Sequence, residues 1–132
     1  MKTKSIQQNI NFNCTADKLY EALLQADKHA AFTEAEAIID PKVNGKFSVY
    51  DGYCRGHIVE LIPNEKIVQA WHFDEEGWPD DHYAVCTFAF IPQGNKTLLQ
   101  FTQTDVPEKH VKALTDGWQT YYWEPLQNYL AP

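Results

Sequence analysis

Positive charge is scarce in this sequence. The 132 residues include 18 aspartates and glutamates against 11 lysines and arginines, and only one of these cations is an arginine, Arg55. The net charge is therefore −7 with histidine neutral, and the acids gather at residues 74–76 and 80–81. Nucleic acids and anionic membrane surfaces bind clustered lysine and arginine. Neither is expected as a partner of this chain.

Long apolar runs are also missing. The stretch from Ala35 to Ile39 is among the longest, yet Glu36 interrupts it and it falls far short of the roughly 20 residues that span a bilayer. The chain begins with two lysines among its first four residues, but polar residues between Gln7 and Asn13 interrupt the apolar segment that a signal peptide requires. We therefore expect no transmembrane helix and a cytoplasmic protein.

The residues that usually carry chemistry are few and lack the spacing of known sites. Three cysteines are present: Cys14, Cys54 and Cys86. They form no C-x-x-C pair, so we expect reduced, buried thiols. His57, His72 and His82 are predicted on adjacent strands or their ends, but none has the spacing of a known metal-ligand pair. No nucleophile elbow, phosphate-binding loop or dinucleotide motif occurs. The sequence therefore assigns no catalytic residue, metal or cofactor.

Aromatic residues, in contrast, are abundant. The chain has the length of one domain, taken as residues 1–132, which is enough for a sizeable core without disulfides or metals. Four tryptophans, seven tyrosines and seven phenylalanines make up 14% of it. Such large, rigid side chains must pack against each other or around a ligand.

Hydrophobic periodicity predicts mixed secondary structure. Ile6, Ile10 and Phe12 alternate with polar residues as in a half-buried strand, and Thr15 is placed to cap a short helix that a second one follows around 28–32. Turn residues then separate short apolar stretches, which indicates an antiparallel meander with strands at about 35–40, 46–50, 53–61, 66–73, 83–91 and 97–103. Asp51-Gly52 predicts a type I′ hairpin turn.

The last part of the chain returns to helical periodicity. One apolar stripe from Val111 to Tyr129 predicts a helix of about 22 residues, in which Pro125 should produce a kink. Its aromatic face needs a sheet to cover it. The predicted fold is therefore α+β: a curved antiparallel sheet of about seven strands around one long C-terminal helix, with two short helices after the first strand.

The space between sheet and helix is the candidate site, either as a packed core or as a ligand pocket. The residues predicted to face it are Phe47, Val49, Tyr53, His57, Trp71, Phe73, Val85, Leu99, Phe101, Leu114, Trp118, Tyr121 and Tyr122. The polar tips of the tryptophans, tyrosines and His57 would need partners when buried. Trp78 lies in the acidic loop of residues 74–81, which is more simply a solvated surface turn. It either marks an exposed binding surface there or folds back over the mouth of the sheet.

Two runs of the sequence resemble the family of activators of heat-shock protein 90 ATPase. The first contains Phe32-Thr33, Asp40-Pro41, residues 45–47, Asp51-Gly52, Gly56, residues 60–68, Trp71 and His82-Tyr83-Ala84. The second contains Val106-Pro107, Gly117-Trp118 and residues 121–126. The resemblance is to the C-terminal type of domain in that family, and it implies a START-like helix-grip fold.

Three functions stay open at this point. The leading interpretation is a non-enzymatic domain that binds a small hydrophobic or aromatic ligand between sheet and helix, as members of the START-like superfamily commonly do. The family resemblance implies instead a module that binds a heat-shock protein 90 chaperone. The third alternative is an enzyme acting on a hydrophobic substrate, which a polar cluster of His57 or His72 with a carboxylate would favour.

Overall fold

Strand β1 (Thr3–Phe12) shows the alternation that its sequence predicts. Ile6, Ile10 and Phe12 are buried, while the polar residues between them face solvent, except for the half-buried Gln8. In the computed structural model, which describes all 132 residues, β1 pairs antiparallel with the last strand of the chain. The N-terminal strand is thereby an edge of the sheet.

Seven strands form one antiparallel sheet with the order β1-β7-β6-β5-β4-β3-β2. The strands after β1 are β2 (Ile38–Ile39), β3 (Lys46–Val49), β4 (Cys54–Ile62), β5 (Lys66–Phe73), β6 (Ala84–Gln93) and β7 (Lys96–Pro107). All six predicted strands of the meander are confirmed, and the boundaries differ most at its two ends. Strand β2 keeps only two of its six predicted residues, whereas β7 extends four residues further because it pairs with β1 as far as Pro107.

Two short helices connect the edge strands, as predicted. Helix α1 (Ala16–Leu24) buries its apolar side, and Thr15 is its N-cap residue. The Thr15 hydroxyl nevertheless donates to the carboxylate of Asp17, not to the backbone. Helix α2 (Ala26–Thr33) follows, with Gln25 as its N-cap residue.

The predicted hairpin turn lies between β3 and β4, but one residue earlier than expected. The positive φ angles fall on Tyr50 (54°) and Asp51 (57°), and the Gly52 N–H donates to the carbonyl of Val49 at 3.2 Å. These two residues are therefore the central pair of the type I′-like turn, and Gly52 (φ 92°) extends the loop to four residues. A tyrosine at positive φ is rare, and this one points its ring toward the C-terminal helix.

The C-terminal helix is long, as predicted, but it changes its winding in the middle. A 3₁₀ turn (Glu108–His110) leads into α3 (Val111–Gly117), a π-helical segment (Trp118–Trp123) and α4 (Glu124–Leu130). Pro125 has no N–H for the carbonyl of Tyr121, four residues before it. The Tyr50 hydroxyl donates to that carbonyl instead. Just before Pro125 the helix widens into the π-helical segment, which is tied to the β3–β4 loop.

The inner face of the sheet follows from the strand register. Phe47, Gly56, Trp71 and Ala84 lie directly opposite one another on β3 to β6 and therefore share one face. This face packs on the C-terminal helix, where Trp71 contacts Trp118 with 5.1 Å between ring centroids. The fold is the α+β arrangement expected, with the curved sheet around the helix.

Gly56 allows β4 and β5 to approach under the ring of Phe47. A Cβ atom at Gly56 would lie 1.8 Å from the carbonyl oxygen of Ala70 and 2.8 Å from Cζ of Phe47. We expect Gly56→Ala to lower the free energy of unfolding by about 3 kcal/mol or more, because the backbone itself must move. Gly117→Ala is the matched control, since a Cβ there meets nothing closer than 4.0 Å. Urea denaturation should show Gly117→Ala at least as stable as the parent, and equal stability of both variants would contradict this interpretation.

Candidate functional site

A cleft of about 380 Å³ lies at one end of the space between sheet and helix. The β3–β4 loop and the ends of β4 and β5 form one wall, and the helix from His110 to Tyr122 forms the other. Its lining consists of Tyr50, Tyr53, Cys54, Trp71, Phe73, Glu75, Trp78, His110, Ala113, Leu114, Gly117, Trp118, Tyr121 and Tyr122. The cleft is therefore bounded largely by aromatic rings.

Seven of the thirteen predicted site residues line this cleft. They are Tyr53, Trp71, Phe73, Leu114, Trp118, Tyr121 and Tyr122. Tyr53 and Tyr121 stand at the mouth, with 39% and 66% of their surface exposed, whereas Trp71 and Trp118 are buried on the floor. The predicted strand and helix faces thus meet in one place.

Four predicted residues belong to the core beneath the cleft. Phe47, Val49, Leu99 and Phe101 are almost fully buried. Phe101 packs against Trp118 with 4.6 Å between ring centroids, and Phe47 against Trp71 with 5.1 Å. Both alternatives for the interior are therefore realised: most of it is packed core, and one end is a cleft.

The prediction that His57 and Val85 face the interior is wrong. Both lie opposite Ala70, one register position away from the row that contains Trp71, so they are on the outer face of the sheet. His57 packs there against Tyr83, with 5.8 Å between ring centroids. Ala84 and Cys86 take the inward positions of β6 and are fully buried.

Buried tryptophans pair with glutamines of the sheet's inner face. The indole N–H of Trp118 donates to Gln103 Oε1 at 2.8 Å, and that of Trp123 donates to Gln8 Oε1 at 2.8 Å. Within β5, Trp71 bonds Gln69 in the same way at 2.9 Å. The need for such partners was predicted, but the glutamines were missed. Gln8 and Gln69 each stand at an inward position between two apolar ones, a signal that the sequence does carry, whereas Gln103 is followed at the same parity by Asp105.

Trp78 folds back over the end of the sheet, which is one of the two alternatives predicted for this residue. Only 5% of its surface is exposed. Its ring contacts Phe73 and His110 at centroid distances of 5.0 and 5.5 Å, and its N–H donates to the carbonyl of His82 at 2.9 Å. The interpretation of Trp78 as an exposed binding surface is wrong, and the residue is instead part of the cleft wall.

Six other lining residues were missed in the sequence. They are Tyr50, Cys54, Glu75, His110, Ala113 and Gly117. Tyr50 was assigned to a strand, and the shift of the turn places it at the cleft. Glu75 belongs to the loop assigned to solvent, where its Oε2 accepts the hydroxyl hydrogen of Tyr53 at 2.5 Å. Loop conformation, which periodicity does not report, decides both positions.

The cysteines are free and buried, as predicted. Burial raises the pKa of the Cys54 and Cys86 thiols well above the ordinary value. Within the chain, no group of three or more histidine, cysteine, aspartate and glutamate side chains could hold a metal ion. His72 and His82 do meet, but His72 Nδ1 contacts the backbone carbonyl of His82 at 3.1 Å. None of the helices is long and apolar enough to cross a membrane.

Comparison with known proteins places the chain in a family. The model for "Activator of Hsp90 ATPase homolog 1-like protein" matches residues 13–131. The chain belongs to this family. The human activator of 90 kDa heat shock protein ATPase homolog 1 is 31% identical over 116 residues, which are 88% of this chain and 34% of that protein. An uncharacterised Schizosaccharomyces pombe protein is 32% identical over 127 residues, 96% of this chain and 37% of that one. The chain thus spans about a third of the length of these family members.

Solved structures share the fold. An HSP90 activator from Plasmodium falciparum superposes with a TM-score of 0.80 at 25% identity, covering 91% of this chain and 90% of that one. CalU16 from Micromonospora echinospora superposes with a TM-score of 0.81 at 19% identity, covering 98% and 78% of the two chains. These similarities confirm the helix-grip fold that the resemblance implies.

A buried histidine contacts one of the residues that line the cleft. His29 on α2 is 1% exposed, and its Nε2 lies 2.8 Å from the hydroxyl oxygen of Tyr122, a lining residue. Its Nδ1 has no hydrogen-bond partner. Burial lowers the pKa of His29 to about 4. The histidine is therefore neutral in the folded protein across the physiological range.

This lowered pKa makes stability depend on pH in a defined window. Between pH 6.5 and about 4 the unfolded chain binds a proton at His29 that the folded chain does not, so acidification favours unfolding. By pH 4 the free energy of unfolding has fallen by on the order of 3 kcal/mol from this cause. Urea denaturation of His29→Gln should lack this part of the decline, whereas His57→Gln, with His29 intact, should retain it. An equally steep decline in His29→Gln would refute the assignment.

Proposed function

We propose that this domain binds a small apolar or aromatic molecule in the cleft and does not act on it chemically. The observation that carries the proposal is the cleft itself, about 380 Å³ of space beside a cluster of 29 buried apolar residues. Small-molecule sites commonly enclose about 300–1,000 Å³, with apolar walls and a few polar groups. The cleft has both properties.

The walls favour a flat ligand. Trp71 and Phe73 lie nearly parallel, with 5.7 Å between centroids and 28° between planes. Trp118 stands edge-on to Trp71 on the helix side. A flat ring entering past Tyr53 and Tyr121 would bury apolar area on both faces, at roughly 25 cal/mol for each Å² removed from water.

The polar groups of the cleft support binding over catalysis. The raised pKa of Cys54 keeps its thiol protonated, and the thiolate is the nucleophilic form. Glu75 is engaged with Tyr53, whose hydroxyl hydrogen its Oε2 accepts. His57 and His72, whose presence beside a carboxylate in the interior would have favoured an enzyme, are not lining residues.

A variant that fills the cleft tests the proposal. Gly117→Leu adds a side chain to the helix wall, where a Cβ meets only Tyr121 Cδ2, at 4.0 Å. Gln119→Leu adds the same side chain two residues later, at an exposed position that does not line the cleft. The uncharged fluorescent probe N-phenyl-1-naphthylamine should bind the parent with a Kd of about 10–100 µM.

Gly117→Leu should lower the affinity for the probe by about tenfold or more, while the affinity of Gln119→Leu should stay within about twofold of that of the parent. Thermal unfolding should show all three proteins folded. No saturable binding to the parent, or equal affinity for both variants, would contradict the proposal.

A second candidate is a chaperone-binding module, favoured by the family. The human relative is named an activator of 90 kDa heat shock protein ATPase, and the Plasmodium structure is named an HSP90 activator. The chain matches only about a third of the human protein, so this role rests on the matched part alone. Its net charge of −7 suits a basic partner surface.

Sedimentation velocity with the 90 kDa heat-shock chaperone of the source organism tests this second candidate. Association with a Kd of tens of micromolar or tighter is expected, and it should weaken as salt screens the charges. A chaperone of another family is the control. Absence of a complex at about 100 µM of each protein at low salt would remove the candidate.

A further inference from the structure

Aromatic faces surround the open end of the cleft. The ring of Phe73 lies at the centre of this group, with centroid distances of 5.0 Å to Trp78, 5.7 Å to Trp71 and 6.1 Å to Tyr53. Aromatic faces carry partial negative charge and attract organic cations, most strongly where water is excluded. The walls therefore offer more than apolar area.

A carboxylate stands at the same end. Glu75 lines the cleft, and only its Oε2 has a hydrogen-bond partner, the hydroxyl of Tyr53. Burial and the neighbouring carboxylate raise the pKa of Tyr53, so its phenol keeps its proton and remains the donor. The second carboxylate oxygen, Oε1, has no protein partner and is available to a ligand.

A nitrogen without a hydrogen-bond partner lies close to the same loop: a Cβ atom at Gly77 would be 3.7 Å from Nε2 of His110. His110 is 9% exposed and lines the cleft, and its Nε2 makes no hydrogen bond in the protein. Buried polar atoms are nearly always paired. Nε2 therefore leaves a polar atom without a partner between the helix and the acidic loop.

Acidic residues predominate around the cleft. Five acids lie between Asp74 and Asp81, and the lining contains no lysine or arginine. Lys109 lies nearby, with its ammonium against Gly77, but it is not a lining residue. This field repels an anion, and a neutral ligand would cover Glu75 without compensating its charge.

We infer that the cleft selects an amine. Such a ligand has a flat apolar body and carries an ammonium group at the end that lies near Glu75. The inference rests on the proposed function and adds the chemical class of the ligand. The cation lies among the rings of Trp78, Phe73 and Tyr53, and Glu75 pairs with it. The acidic loop, which the sequence suggests to be a solvated surface, thereby becomes part of the recognition site.

Three compounds with one aromatic body test this inference. They are 1-naphthylmethylammonium, the neutral 1-naphthylacetamide and the anion 1-naphthylacetate. Calorimetric titration of the full chain at low salt should give an affinity for the ammonium about tenfold above that for the amide, a difference of ~1.4 kcal/mol. The carboxylate should bind most weakly.

Glu75→Gln isolates the charge, because glutamine can still accept from Tyr53. This variant should bring the ammonium within about twofold of the amide, whereas Glu76→Gln, the exposed neighbour outside the lining, should keep the tenfold preference. Equal binding of ammonium and amide to the parent would overturn the inference and leave the proposed function intact.

Other outcomes are equally decisive. Stronger binding of the carboxylate, or the same loss in both glutamine variants, would also overturn the inference. Failure of all three compounds and of N-phenyl-1-naphthylamine to bind would overturn it together with the proposed function.

Discussion

A buried indole needs an acceptor for its N–H, and this requirement sets how the helix sits on the sheet. Trp118 and Trp123 stack on each other with 5.4 Å between centroids, and each reaches a glutamine of a different strand, Gln103 on β7 and Gln8 on β1. An indole without its acceptor would cost about 1–3 kcal/mol. The helix is therefore held in one position over the two strands at the β1 side. Toward β4 and β5 the helix is held by ring contacts and by the bond from the Tyr50 hydroxyl to the Tyr121 carbonyl, and there the cleft remains.

The wider π-helical turn belongs to the same arrangement. It carries Trp118, Tyr122 and Trp123 at a spacing that turns all three inward, where they are buried. Segments of this kind are rare in proteins overall, and those that do occur are often found at functional sites. The bond from Tyr50 to the Tyr121 carbonyl then ties the widened turn to the hairpin loop, so the mouth of the cleft is formed by two irregular pieces of backbone that support each other.

Much of the fold can be predicted from the sequence, because hydrophobic periodicity shows which residues share one face of a strand or helix. The order of elements, the antiparallel meander and the aromatic stripe of the helix all follow from spacing alone. The wrong placement of Val85 has a physical cause: a strand with apolar residues on both faces does not show which face is buried. Val85 is larger than Ala84 or Cys86 and was placed inward, yet the small residues lie inside because the helix aromatics occupy the space above them. The cleft volume and the place of Glu75 depend on loop conformation, which spacing does not encode.

The indole N–H signals of the four tryptophans can show directly whether the interior is closed core on one side and a binding cleft on the other. Trp71, Trp78 and Trp118 line the cleft, while Trp123 is fully buried outside it. In a nitrogen-15 correlation spectrum titrated with 1-naphthylmethylammonium, the first three signals should move in a saturable way and that of Trp123 should move least. Equal shifts at all four, or none at saturating ligand, would contradict the account.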